Sequence, residues 1–312
     1  MAFTAVSNYS GKAAGFYISA ALQSVVSLDY LTMIENIKLQ SNIQVMDASV
    51  TPIAAATCDF TDAGTLALTE KVLTPANNQI NLDLCKATLL SSWEAMQMRA
   101  GAGAPPPASF DDYVISYMGE VIASATETSI WAGVANAGGD FIGFTGAGAA
   151  GWLRAGNDAT VQQAVLTGGA GVAPTAGTII ADIQAGLDAV PTAVIGKEDV
   201  YVFLNQRNYQ FYIQAVSTLG YMNAYNMNGD YEPRVNGYKI AVVNGLQNAA
   251  IVVGQKSQMF FGTDLLSDGF GTSPRIQLLD MANLDGSDNM RMVARYSAGT
   301  QTGIGADLVL VS

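Results

Sequence analysis

The chain has 312 residues, with 14 Lys+Arg against 26 Asp+Glu, a formal net charge of −12, and no histidine. Without His there is no Ser-His-Asp or Cys-His nucleophile pair, no His-ligated zinc and no imidazole proton shuttle. So few cations also exclude tracking of a phosphate backbone, which runs on clustered Lys and Arg. Charged residues make up 13% of the chain, against about 25% in an ordinary soluble domain. Hydrophobic residues make up 50%, so the composition is the opposite of a disordered one. A large, weakly charged monomer would share these numbers. The sharper expectation is that much of the surface is buried against other copies, because obligate interfaces are depleted in charge.

The first residues lack a basic start followed by an apolar core, so no signal peptide is expected. No stretch reaches the ~18 uninterrupted apolar residues of a membrane span. Cytosolic synthesis and no membrane partner are therefore expected. Cys58 and Cys85 are too few for a disulfide-stapled fold, and no CxxC spacing exists.

Apolar spacing predicts a helix over 12–39, with Phe16, Ala20, Leu28, Leu31 and Ile34 on one face. The period then changes to two. Leu66 and Leu68 alternate with small or polar neighbours, as do Ile80, Leu82 and Leu84, with Thr74-Pro75-Ala76-Asn77-Asn78 between them. This predicts a two-stranded ribbon whose strands pair with each other and which places Cys85 near Leu68. Such a ribbon has too few residues for a core of its own and must lay one face on something else.

After Pro105-Pro106-Pro107, Ser109 opens a capping box with Asp112. Phe110, Val114, Tyr117, Met118, Val121 and Ala125 then repeat at helical spacing until Gly133, which predicts a helix of about 23 residues. From Val134 to Thr178, 22 of 45 residues are Gly or Ala, and the only charges are Asp140, Arg154 and Asp158. This predicts an irregular excursion lying against protein.

A compact α/β unit follows. A helix runs from Ile179 to Val190, stopped by Pro191, and Val200–Leu204 reads as a buried strand. Asn205 caps a second helix with Phe211, Tyr212, Ala215 and Val216 inward, and Gly220 ends it. Strands at Lys239–Val243 and Ala249–Val253 are joined by a turn at Asn244-Gly245, after a long loop over 221–234. Ile276–Asp280, Met290–Tyr296 and Leu308–Val311 are strands, with a turn at Asp285-Gly286.

No chemical motif stands above a structural explanation. Gly146-Ala-Gly148-Ala-Ala-Gly151 has dinucleotide-type spacing, but residues 159–181 contain no acid for a ribose. Gly11-Lys12 and Gly196-Lys197 lack the rest of a phosphate loop. Asn283–Asp288 is missing the closing Glu of a calcium loop, because Met292 stands there. No catalytic, cofactor-binding or metal-ligating residue and no cofactor is expected, so a building block is favoured over an enzyme working by Asp/Glu chemistry.

The order of elements resembles the major capsid proteins of tailed double-stranded-DNA bacteriophages, whose α+β fold is named for phage Hong Kong 97. Cys58-Asp59-Phe60, Leu68-Thr69-Glu70-Lys71, Leu84-Cys85-Lys86 and Ser92-Trp93 resemble the hairpin region in phages of Bacteroidetes-type hosts. Gly237-Tyr238-Lys239-Ile240, Val253-Gly254 and Met290–Tyr296 are similar to the family's final third.

The resemblance implies an N-terminal arm over 1–57 and an extended β-hairpin, the E-loop, over 58–92. It implies a peripheral domain over 93–177 and 276–312, with a spine helix at 109–132 and the Gly/Ala-rich excursion at 134–178 as a lineage-specific insertion. An axial domain would occupy 178–275. Inter-subunit assembly would rest on Leu66, Leu68, Glu70, Lys71, Pro75, Ile80, Leu82 and Leu84 of the E-loop. The partners implied are the chain itself in pentamers and hexamers, a portal, a separate scaffolding protein and an outer decoration protein. The product would be a virion capsid, built late in the host bacterial cytoplasm, enclosing double-stranded DNA without sequence-specific binding. An encapsulin-like compartment of the same fold is the alternative. In some members of this fold a hairpin Lys is cross-linked to a neighbour's Asn; Lys71 is the candidate here, and an uncross-linked charged residue is the expectation.

Overall fold

The computed structural model describes residues 26–37, 39–48, 58, 66–85, 110–135, 141–147, 151–220, 234–264, 276–280 and 289–312. Two sheets and a long helix carry the architecture. The helix α1, Phe110–Ala132, has the 23 residues its spacing predicted. Its expected capping box at Ser109 and Asp112 lies outside the described side chains.

One sheet has six strands and is built around β6, Val200–Leu204. Its residues alternate between two cores, as strand geometry requires. Val200, Val202 and Leu204 pack with Ile179, Ile183 and Leu187 of helix α2, Ile179–Asp188, and with Ala215 of helix α3, Gln206–Thr218. Phe203 points the other way, its ring 5.3 Å from that of Trp131 on α1. Both faces are covered, which is why the strand is apolar throughout. Asn205 caps α3 as expected, accepting from the Arg207 N–H at 2.8 Å. Gly220 follows the helix with φ 90°, a conformation glycine adopts without steric cost.

On either side of β6 lie β8, Tyr238–Val242, in parallel and β9, Ile251–Gln255, antiparallel. The connection at Asn244-Gly245 therefore passes across β6 instead of closing a hairpin. The sheet is completed by β7, Arg234–Val235, beside β8, and by β13, Val309–Val311, then β5, Gln162–Ala164, beyond β9.

The second sheet surrounds β12, Asn289–Thr302. On one side β4, Ala76–Cys85, pairs with it over ten residues, from Ala76↔Ala298 to Cys85↔Asn289. On the other side lie β11, Ile276–Asp280, and β10, Met259–Thr263. β1, Thr32–Glu35, runs parallel to β10 at the edge. Met292, Ala294, Tyr296 and Ala298 are buried, while the intervening Arg291 and Arg295 are exposed.

Helix α1 packs on both sheets, through Trp131 to Phe203 and through Thr126, whose hydroxyl lies 3.4 Å from that of Tyr296. Its buried stripe is Ile122, Ala123, Thr126, Glu127, Ile130 and Trp131. The expected stripe through Val121 and Ala125 faces outward, with Val121 44% exposed. The turn is one residue, about 100°. It is set by Ile130 and Trp131, the largest buried group on the helix, and by Thr126 and Glu127, polar residues that find partners inside.

Two further expectations are corrected. Residues 26–37 are not α-helical: Val26–Tyr30 is a short 3-10 helix, followed by β1. The β-branched Thr32 and Ile34 fit a pleated edge, and pairing with β10 overrides the apolar spacing. The remainder of that expected helix lies outside the described residues.

The ribbon also pairs differently. β3, Leu66–Leu73, joins not β4 but β2, Ser41–Ala48, antiparallel from Ser41↔Leu73 to Ala48↔Leu66. Only Thr74 and Pro75 separate β3 from β4. A two-residue hairpin turn needs positive φ at its first residue or at both. Thr74 is β-branched and Pro75 is locked at negative φ, so the chain runs on into a different sheet. Cys85 accordingly sits opposite Asn289, and Leu68 opposite Met46.

Each sheet takes strands from distant parts of the chain. The six-stranded sheet takes β5 from the 93–177 segment and β13 from the 276–312 segment, while β10, within 178–275, belongs to the other sheet.

The described first part of the Gly/Ala-rich stretch, 141–147 and 151–153, lies against protein as its composition predicted, whereas most residues of 154–178 are exposed and 162–164 form β5. Phe141, Phe144, Leu153 and Val161 enter the core shared with α1. The N–H groups of Phe144 and Thr145 donate to the last carbonyls of α1, at Ile130 (2.9 Å) and Trp131 (2.7 Å), satisfying groups that a helix end leaves open. A Cβ on Gly146 would collide with the Gly133 carbonyl. Close backbone approach explains that glycine without a nucleotide.

Candidate assembly interface

The β2–β3 ribbon is eight residue pairs long, about 27 Å at 3.4 Å per residue. Residues directly opposite share a face, so Met46 with Leu68, Gln44 with Glu70, and Asn42 with Val72 line one side. Met46 is 63% exposed, Leu68 55% and Val72 39%. Asn42 donates to Glu70 Oε2 at 3.4 Å, and the Thr69 hydroxyl to the Val45 carbonyl at 3.4 Å. An isolated two-stranded ribbon is marginal in water, and this one presents three large apolar side chains to solvent.

Among the described residues, three contacts fix its base to the body. Leu73 is fully buried, packed toward Gly262 and Ile37. Gln301 Nε2 donates to the Val72 carbonyl at 2.8 Å. On the opposite face from Leu68, Lys71 Nζ meets Asp158 Oδ2 at 2.5 Å, with the Asp side chain only 10% exposed. Asp158 also accepts from the Thr160 N–H at 3.0 Å and from its hydroxyl. Burial pushes the Asp158 carboxyl upward, but hydrogen bonds from Lys71 and Thr160 outweigh it and hold the group below its ordinary value.

The eight residues expected to form one assembly surface are thus divided. Leu68 and Glu70 share the exposed ribbon face, whereas Lys71 turns back to the body. Leu66 pairs through its backbone with Ala48, and Leu84 with Met290. Ile80 and Leu82 pack on the subunit's own core, and Pro75 is half-buried at the ribbon's root. Sequence reasoning missed β2 altogether, although Ile43 and Val45 alternating with Asn42 and Gln44 carry the strand period.

The other titratable clusters have structural work. Glu127, 6% exposed, accepts from the Ser27 N–H (3.2 Å), the Ser27 hydroxyl (2.6 Å) and the Gly245 N–H (3.4 Å). Trp131 Nε1 donates to that same hydroxyl at 2.6 Å. Asp199 accepts from Ser257 and Gln255, and these bonds hold its carboxyl below the ordinary value against the upward push of burial. Burial lowers the pKa of the Arg154 guanidinium, which donates to the Ser312 hydroxyl at 3.0 Å. Cys58, in the β2–β3 connection, is an exposed free thiol. Among the described residues no group of three or more His, Cys, Asp or Glu could hold a metal ion, and no helix is long and apolar enough to cross a membrane.

The fold is shared with virus capsid proteins. A satellite phage P4 procapsid protein is 12% identical with a TM-score of 0.56, covering 95% of this chain and 89% of that one. The capsid of an empty GTA particle gives 12% identity and a TM-score of 0.55 over 92% and 89%. A virus-like particle from Pyrococcus furiosus gives 7% identity and a TM-score of 0.52 over 97% and 99%. No protein-family model matches the sequence, and no curated protein does.

Proposed function

We propose that the chain is the major capsid protein of a tailed double-stranded-DNA phage, a structural shell subunit with no catalytic role. The observation that carries this is the uncovered apolar face of the β2–β3 ribbon on a fold shared along more than nine-tenths of the chain with capsid proteins. The ribbon acts as the E-loop and lays Met46, Leu68 and Val72 on the neighbouring subunit. The six-stranded sheet with α2 and α3 is the axial unit at five- and six-fold axes, and the sheet around β12 with α1 is the peripheral unit. Pentamers and hexamers close an icosahedral shell in the host bacterial cytoplasm, with a separate scaffold, a portal and an outer decoration protein as partners. The host type implied by the text around residues 58–93 belongs to the same proposal. A net charge of −12 keeps the inner wall from adsorbing DNA, which can then slide during packaging.

A second reading, an encapsulin-like compartment filled with protein, is favoured by the likeness to the virus-like particle, which spans nearly the whole of both chains. Electron microscopy of the purified protein tests the shell, and extraction of particle contents separates the readings. Closed icosahedral particles holding nuclease-protected DNA fit the first, and particles holding protein cargo fit the second. Dispersed single subunits at every concentration refute both.

A further inference from the structure

We propose that the Lys71–Asp158 ion pair is the strut that sets the angle of the β2–β3 ribbon against the body. The inference rests on reading the ribbon as the arm that reaches the next copy, and it assigns this chain's own angle-setting contact. Among the described side chains of β3, from Leu68 to Leu73, the contacts to the body end at Lys71. Leu73 is buried and the Val72 carbonyl is held by Gln301, whereas Leu68, Thr69 and Glu70 are exposed. The side-chain bonds of Thr69 and Glu70 to Val45 and Asn42 stay within the ribbon. Leu73 and Gln301 fix where the ribbon starts, but both act at its root and leave its tilt free. Among the described side chains of β3, Lys71 is the outermost tie and lies on the face opposite Met46 and Leu68, so its length and partner decide which way the apolar face looks.

Asp158 is built to hold that tie. It is one of only three charges in the Gly/Ala-rich stretch, and Thr160 orients it through two hydrogen bonds. Gly305 backs it so closely that a Cβ there would stand 2.5 Å from both Asp158 Oδ2 and Thr160 Oγ1. The carboxylate therefore has one place to sit and presents Oδ2 to Lys71. This gives the Gly/Ala-rich stretch a task, as the buttress from which the strut springs.

The test uses the full-length chain as dissociated subunits, spin-labelled at Cys58 in the β2–β3 connection and, through Ile195→Cys, at a site on the body, in a Cys85→Ser background. Ile195 is 54% exposed and belongs to neither sheet. A 15° swing of a ribbon about 27 Å long moves its end by about 7 Å. Lys71→Met and Asp158→Asn should each shift or broaden the distance distribution between the two labels by about that much, with circular dichroism unchanged. Lys71→Arg and the exchanged pair Lys71→Asp/Asp158→Lys should restore a narrow distribution. Unaltered distances in both single variants overturn the strut. A shift in the single variants that neither restoring variant corrects overturns the ion pair as its cause. These distances read the strut in free subunits, whereas microscopy of the unmodified protein reads shell formation, so the two readings fail separately.

Discussion

Ser27 gives both its backbone N–H and its hydroxyl to Glu127, one hundred positions further along the chain. The same hydroxyl accepts from Trp131 Nε1, so one serine ties the chain's N-terminal described turn to the last two turns of the long helix. The Gly245 N–H joins from a third segment. These three donors to the buried carboxylate are all uncharged, and together they take the place of a cation.

Replacing Glu127 with Ala should leave those donors buried and unsatisfied. The expected loss is about 2–4 kcal/mol, because hydrogen bonds to a charged group contribute about 1.5–3 kcal/mol and orphaned donors add desolvation. Urea unfolding of the subunit measures it. A midpoint within error of the parent would show that Ser27 finds water there at no cost.

The ribbon can be removed cleanly only where the strand pairing allows. Replacing residues 43–70 with a short Gly/Ser link should leave a soluble, folded subunit that does not form shells. Replacing residues 66–84 should unfold it, because that cut takes β4 from its ten-residue pairing with β12. Circular dichroism and sedimentation of the two variants, side by side, decide the matter.

A gentler version targets the face alone. Leu68→Ser with Met46→Ser should keep the subunit's melting temperature and abolish particle formation. Each apolar side chain of this size contributes about 1.5–3 kcal/mol when covered, multiplied over every contact in a shell. Particles in normal yield would place assembly elsewhere.

Acid should act on Asp158 in a definite direction. Its folded pKa lies below the unfolded value, about 3.9. The stability it contributes is therefore complete above that value and is lost as pH falls through the depressed one. The stability difference between the parent and Asp158→Asn should be constant from pH 7 down to about pH 4, then shrink. A difference that vanishes already at pH 6 would contradict the sign.

Lys71 is engaged within its own subunit, which leaves it a poor nucleophile toward a neighbour's amide. Denaturing gels of particles should show one band at 32.6 kDa. A ladder of multiples would show a covalent lattice.

Much of the fold is legible where one residue type settles one question. The 23-residue helix, Asn205 as a cap, the apolar β6 and the strand Ile276–Asp280 are all readable from spacing. Strand partners are not, since Leu66–Leu73 and Ala76–Cys85 look alike as paired or unpaired neighbours. Thr74-Pro75 holds the answer in its φ restriction, but the polar residues after it give it the look of a longer turn. The face of α1 escapes sequence reasoning because its inward side carries Thr126 and Glu127, whose polarity makes sense only beside Ser27 and Tyr296. For the candidate site, Leu68 and Glu70 are identifiable from sequence; Met46 and Val72 need the pairing with β2 to be seen.

Both sheets draw on strands encoded near residue 300. β12 is the centre of one, in a sheet whose edge strand is encoded as early as Thr32, and β13 stands second from the edge of the other. Contacts between such distant positions make folding slow and delay it during synthesis. Neither sheet can close until residues 289–311 have left the ribosome. A nascent chain thus carries the β2–β3 ribbon before the sheets behind it can close. The order of strands along the chain is itself a timing device, completing the body only after its late strands are made.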